Sequence, residues 1–203
     1  MFKVNKKIKK NKGMTYVELI VVLSIFGIMS SIVLFNYNKF QAKVDIKNLA
    51  NDIALKIVQA QKDAMSGKIP VQTIGDSWRP SYGVYFDLSY PKSFIYFADL
   101  PPINQLYDQG SGCDLGGECL DDIEITKGKI SKIEECSTST EDCLSPVSTP
   151  NPLSITFTRP NSGASFFPSL SVSSNYIRIT VSSSDNSFDG YIRVYPSGRI
   201  QVN

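Results

Sequence analysis

The chain has 203 residues, 42% of them hydrophobic and none of them histidine. That length is enough for a buried core in one or two domains, and the absence of histidine excludes imidazole acid–base chemistry, His-based triads and His-containing metal sites. Its 21 basic and 19 acidic side chains are unevenly placed: Lys3, Lys6, Lys7, Lys9, Lys10 and Lys12 stand together without an acid. Everything after Gly13 is therefore net acidic, which argues against a generic nucleic-acid binder.

In chain order, the basic segment 1–13 is followed by an apolar run from Met14 to Phe35. Its length matches the about 20 residues that cross a bilayer, and the lysines ahead of it would hold the N-terminus in the cytoplasm. The expectation is a single-pass membrane helix, with the remainder of the chain extracytoplasmic. A secretory signal peptide is the alternative, although no small-x-small cleavage site follows the run cleanly. Helical periodicity continues over 36–66 through Val44, Leu49, Ile53, Ile57, Ala60 and Ala64, until Gly67 and Pro70 supply a stop. The second half of this helix is amphipathic, with a stripe suited to packing on a soluble domain.

From residue 70 to 203 the period changes. The segments 81–88, 93–100, 123–126, 153–158, 176–182 and 191–202 are rich in Ile, Val, Tyr, Phe and Thr, and turn residues separate them. They predict an antiparallel β-sheet or sandwich, with Pro196-Ser197-Gly198 turning the last two strands into a hairpin. The predicted fold class is thus α+β: a long N-terminal helix, transmembrane in its first half, followed by a β-rich domain with a loop over 101–150.

That loop holds Cys113, Cys119, Cys136 and Cys143. Three pairings are open, and zinc ligation is the rival use of four thiolates, though spacings of five and six intervening residues fit zinc knuckles poorly. Short separations favour closure, so the expected disulfides are Cys113–Cys119 and Cys136–Cys143. Asp99, Asn104, Asp108, Asp114, Glu118, Asp121 and Asp122 make the loop oxygen-rich. Calcium is one reading of them; a solvated acidic loop is the other, because the spacing departs from the EF-hand pattern. No cofactor, metal or enzymatic activity is expected.

The identity of the N-terminus lies in Gly13-Met14-Thr15-Tyr16-Val17-Glu18, preceded by lysines and followed by the apolar run. This order resembles the leader and cleavage motif of type IV pilins and pseudopilins. The resemblance implies that a prepilin peptidase cuts between Gly13 and Met14 and methylates the new amino group of Met14, where Phe is the commoner residue. It also implies a role for Glu18. A carboxylate in an apolar segment is costly without a partner, and in pilins the suggested partner is the amino terminus of a neighbouring subunit. The competing reading is a carboxylate near a membrane edge that reaches headgroups or protonates. Phe35 stands where many major pilins carry a helix-breaking Pro, while Gly27 is kept.

The helix over 48–64, FTRPNSGASF (157–166) and YPSGRIQV (195–202) are similar to the GspH/FimT group of minor pilins and pseudopilins. The function implied is a structural subunit of a type IV pilus-like or type II secretion filament, with other pilin subunits, the prepilin peptidase and the inner membrane as partners. The alternative is a filament-tip subunit that binds DNA or a surface. FimT-like proteins use basic residues near the C-terminus, and Arg199, with Arg178 and Arg193 nearby, is the candidate here.

Overall fold

A computed structural model describes residues 13–70, 80–101, 103–108, 113, 117–137, 143 and 146–203; residues 1–12 of the basic segment 1–13 and Asp114 lie outside them. The chain divides into two compact units, 1–41 and 42–203. One helix, α1 (Tyr16–Ser66, 51 residues), contributes to both. Nine strands belong to the second unit: β1 (Ser81–Phe86), β2 (Ser93–Asp99), β3 (Cys119–Glu124), β4 (Lys129–Cys136), β5 (Leu153–Thr158), β6 (Asn161–Phe167), β7 (Tyr176–Ser182), β8 (Asp189–Val194) and β9 (Ile200–Val202).

Two expectations are corrected at the N-terminal end. Among the described residues no helix is long and apolar enough to cross a membrane, so neither a transmembrane segment over 14–35 nor a single-pass inner-membrane location with an extracytoplasmic domain is supported. Residues 33–36, where that apolar run ends, lie outside the residues whose side chains are described, and Glu18 places a charge near the start of the run. Among the described residues the fold class is accordingly one helix with two antiparallel sheets, and a membrane-spanning half is not supported.

Both ends of α1 are closed by local hydrogen bonds. At the start, the Glu18 N–H donates to Thr15 Oγ1 (3.3 Å) and the Thr15 N–H donates to Glu18 Oε2 (3.5 Å), the reciprocal arrangement of a capping box. At the end, Gly67 has φ of 63°. Its N–H reaches Ala64 O and the Lys68 N–H reaches Asp63 O, both at 3.1 Å, a Schellman motif that satisfies two terminal carbonyls.

In the second unit the stripe Ile46, Ala50, Ile53, Ile57, Ala60 and Ala64 is buried, at the alternating four- and three-residue steps that keep side chains on one helix face. It packs against one face of each sheet. The five-stranded sheet has the order β3-β2-β1-β5-β6 and the four-stranded sheet β4-β7-β8-β9. Alternation sets the inward residues: Tyr82, Val84 and Phe86 on β1, Ile177, Ile179 and Val181 on β7. The tip of the helix is tied to the five-stranded sheet by Asp63. Its carboxylate takes a 2.6 Å bond from the Tyr96 hydroxyl and a 2.8 Å ion pair from Lys68, whose carbonyl accepts from Tyr82. Burial pushes Asp63 upward, but the bonds from Lys68 and Tyr96 outweigh it and leave its pKa lowered.

The outward face of the five-stranded sheet carries a second layer. Phe97 lies over Gly83, where a Cβ would come within 2.8 Å of the Phe97 ring and 2.7 Å of Ile155 O. Tyr107, in the connection after β2, packs on both Phe97 and Tyr85 with ring centroids 5.5 and 5.1 Å away. The segment 101–150, expected as loop, thus contains β3 and β4 and a connection that folds back on the sheet.

Candidate functional site

Gly13 and Met14 precede the first helical residue and are exposed, Met14 by 65%. The bond between them is therefore open to a protease in non-helical backbone. From Tyr16 onward apolar side chains stand exposed on every side of the helix, among them Tyr16 (79%), Phe26 (69%), Ile28 (64%) and Met29 (65%). Glu18 sits within this surface as its first charge, and its carboxylate is engaged locally by Thr15. Sequence reasoning missed this bond, although Thr15-x-x-Glu18 is the written signature of a capping box. The backbone remains helical through Gly27 and Phe35, as it should without a proline.

Disulfides join Cys113 to Cys119 and Cys136 to Cys143. The second lies in a small cluster of its own with Tyr176 and Tyr195. Next to it, Glu135 is 3% exposed and accepts bonds from the hydroxyls of Ser148 and Ser174 and the N–H of Ser171. Burial raises its pKa, but these donors overcome that and hold it at about 2.

The oxygen-rich loop is occupied by its own backbone. Asp99, wholly buried, accepts from the N–H groups of Asn104 and Gln105, while Glu118 accepts from those of Leu100 and Asp108. Burial pushes both carboxyls up, and the N–H bonds offset it only in part. Asp108 takes the Asn104 amide, and Asp121 pairs with Lys56 at 2.9 Å. Among the described residues no group of His, Cys, Asp or Glu is placed to hold a metal.

The arginines near the C-terminus are not gathered into one cationic surface. Arg178 is paired with Glu134 at 2.7 Å, Arg193 is 6% exposed, and the Arg199 guanidinium stacks 3.8 Å over the Tyr195 ring. Phosphate binding draws on several cations at once; Arg178 and Arg193 are register partners across β7 and β8, but the first is offset by Glu134 and the second is buried. What residues 195–199 do is structural. Gly198 has φ of +83° and a Cβ there would meet Ser162 O at 2.1 Å. The Gln61 amide bonds both Ser162 O (2.8 Å) and Gly198 O (3.2 Å), and the Ala164 N–H bonds Pro196 O (3.0 Å). Gly198→Ala should lower stability by at least about 2 kcal/mol, from left-handed strain plus that contact; a thermal unfolding midpoint within a degree of wild type would refute it.

No protein-family model, curated protein or solved structure matches the chain. The pilin and prepilin designation therefore has no support outside the chain itself. It rests on residues 13–18 and the apolar helix that follows them.

Proposed function

We propose that this chain is a structural subunit of a pilin- or pseudopilin-like filament, released from its leader by cleavage between Gly13 and Met14 and assembled through the first part of α1. One observation carries the reading: the apolar side chains from Tyr16 to Ile32 are exposed on all sides of the helix. Contiguous apolar surface of this kind marks an interaction site, since each square ångström left in water forgoes roughly 25 cal/mol. The occupants proposed are the equivalent helices of other subunits, which would cover all faces at once. An ordinary globular partner docks on one. Within such a bundle Glu18 is the charged group available to set register against a neighbour's Met14 amino terminus.

The position of the proposed cut supports the same reading. Gly13 has open space where a Cβ would be, so packing among the described residues does not demand a glycine there. Co-expression with a prepilin peptidase should yield a product lacking residues 1–13, with an N-methylated Met14 by mass spectrometry, and Gly13→Ala should block that cleavage. A product of unchanged length from the wild-type chain would sink the assignment.

A further inference from the structure

The outer layer on the five-stranded sheet has a property that fold stability does not account for. A cleft of about 290 Å³ is lined by Tyr85, Tyr90 and Tyr107 together with Asp87 and Asp122, and among the described residues its lining contains no lysine or arginine. Tyr85 and Tyr107 form two walls of a corner, their planes inclined by 49°. Tyr90 completes the rim from the turn after β1 and is 67% exposed. That turn is fixed: the Ser89 N–H bonds Asp87 Oδ1 at 2.7 Å, and the Tyr90 and Ser93 N–H groups bond Asp87 O and Tyr90 O at 3.0 and 3.1 Å. A large ring is thus held in water on rigid backbone beside two more rings and two carboxylates.

We propose that this cleft binds an alkylammonium group, the head of a quaternary amine or of a lysine side chain. The negative faces of tyrosine rings attract a cation, and the attraction grows where the site is partly desolvated. Asp87 and Asp122 add full negative charge to the same wall. An apolar peptide would use the rings but gain nothing from two aspartates, a neutral sugar could donate hydroxyls to them without any charge attraction, and an anion would be repelled by them. The larger cleft between α1 and β3, of about 460 Å³, offers no such selectivity. Its described lining mixes three acids, Asp45, Asp52 and Glu124, with two lysines, and both lysines are already paired, Lys56 with Asp121 and Lys127 with Asp45.

The geometry also explains why Asp122 is the productive acid. It sits on β3 opposite Ile95 of β2, on the outward face, and its charge reaches the Tyr107 hydroxyl, which burial first and Asp122 second push upward. An ammonium in the corner would meet that carboxylate and both rings together. This site is independent of the filament role, because every residue in it belongs to the second compact unit.

The test is a titration of the full chain with choline, with a peptide carrying trimethyllysine or lysine, and with 3,3-dimethylbutan-1-ol, the neutral isostere of choline, followed by tyrosine fluorescence and NMR shifts. Saturable binding of choline or the peptide is expected, weakened about 10-fold by Tyr90→Ala and by Asp122→Asn, with no binding of the neutral isostere. Choline alone binding would assign a small-molecule ligand; the lysine peptide binding as well would assign a polypeptide one. No saturable binding of either ammonium probe, equal binding of the isostere, or unchanged affinity in Tyr90→Ala would overturn the proposal. Tyr90 is exposed, so that variant keeps its unfolding midpoint and decides the matter even if Asp122→Asn does not fold.

Discussion

Glu18→Gln should leave the helix start intact and the leader cleaved, yet cut incorporation into sheared filaments by a factor of roughly a hundred or more. Glutamine serves the capping box as glutamate does, so helicity by circular dichroism should not change. What glutamine cannot supply is the charge. If Glu18 pairs with a neighbour's amino terminus, its loss strands that terminus in an apolar bundle, at about 3–5 kcal/mol. Glu18→Ala would remove both cap and charge and should be at least as severe. Equal incorporation of wild type and Glu18→Gln would show that Glu18 caps its own helix and does nothing between subunits. A mild loss would place this subunit at the end of a filament, where one neighbour is missing.

Glu135→Ala is expected to destabilise the second unit by about 2–4 kcal/mol, because it leaves two hydroxyls and one N–H without their acceptor inside the protein. The contribution depends on pH with a definite sign. The folded-state pKa lies at about 2, below the ordinary value of 4.5. The stabilisation is therefore complete above about pH 4.5 and is lost as the pH falls toward 2, amounting to roughly 3 kcal/mol over that window. Urea midpoints at pH 7, 4 and 3 should converge for wild type and Glu135→Gln as the pH falls. A constant difference between them would refute the assignment.

The helical stripe from Ile53 to Ala64 and the strands with strong β formers were legible because burial on one face imposes a period; earlier in the helix the buried residues are Ile46 and Ala50, two and one positions on from the expected Val44 and Leu49. β4 and β6 were not. β4 reads KISKIEEC and β6 NSGASFF, the one laced with charges and the other built of small polar residues, so neither carries enough apolar alternation to announce itself. Glu135 was invisible for a related reason: a glutamate in a charged run looks solvated, and only pairing with β7 and the return of 146–148 and 171–174 bury it. The Gly13–Glu18 motif was read through its family likeness, which hid the simpler physical content of Thr15 and Glu18. The aromatic cleft could not be seen at all, since Tyr85, Tyr90 and Tyr107 meet only when the segment after β2 folds back over the sheet.

The bonds from Gln61 and Ala164 to residues 196–198 have a bearing on how the domain is made. They join the helix, an edge of one sheet and a turn of the other across sequence separations of 101 and 137 residues for the two Gln61 bonds. Contacts so distant along the chain form late, after many loops have closed. Until residues 196–202 are in place, β6 lacks its neighbour at this junction and β8 lacks β9. A chain whose junction has yet to form is therefore an unlatched one, with strand edges open to other copies.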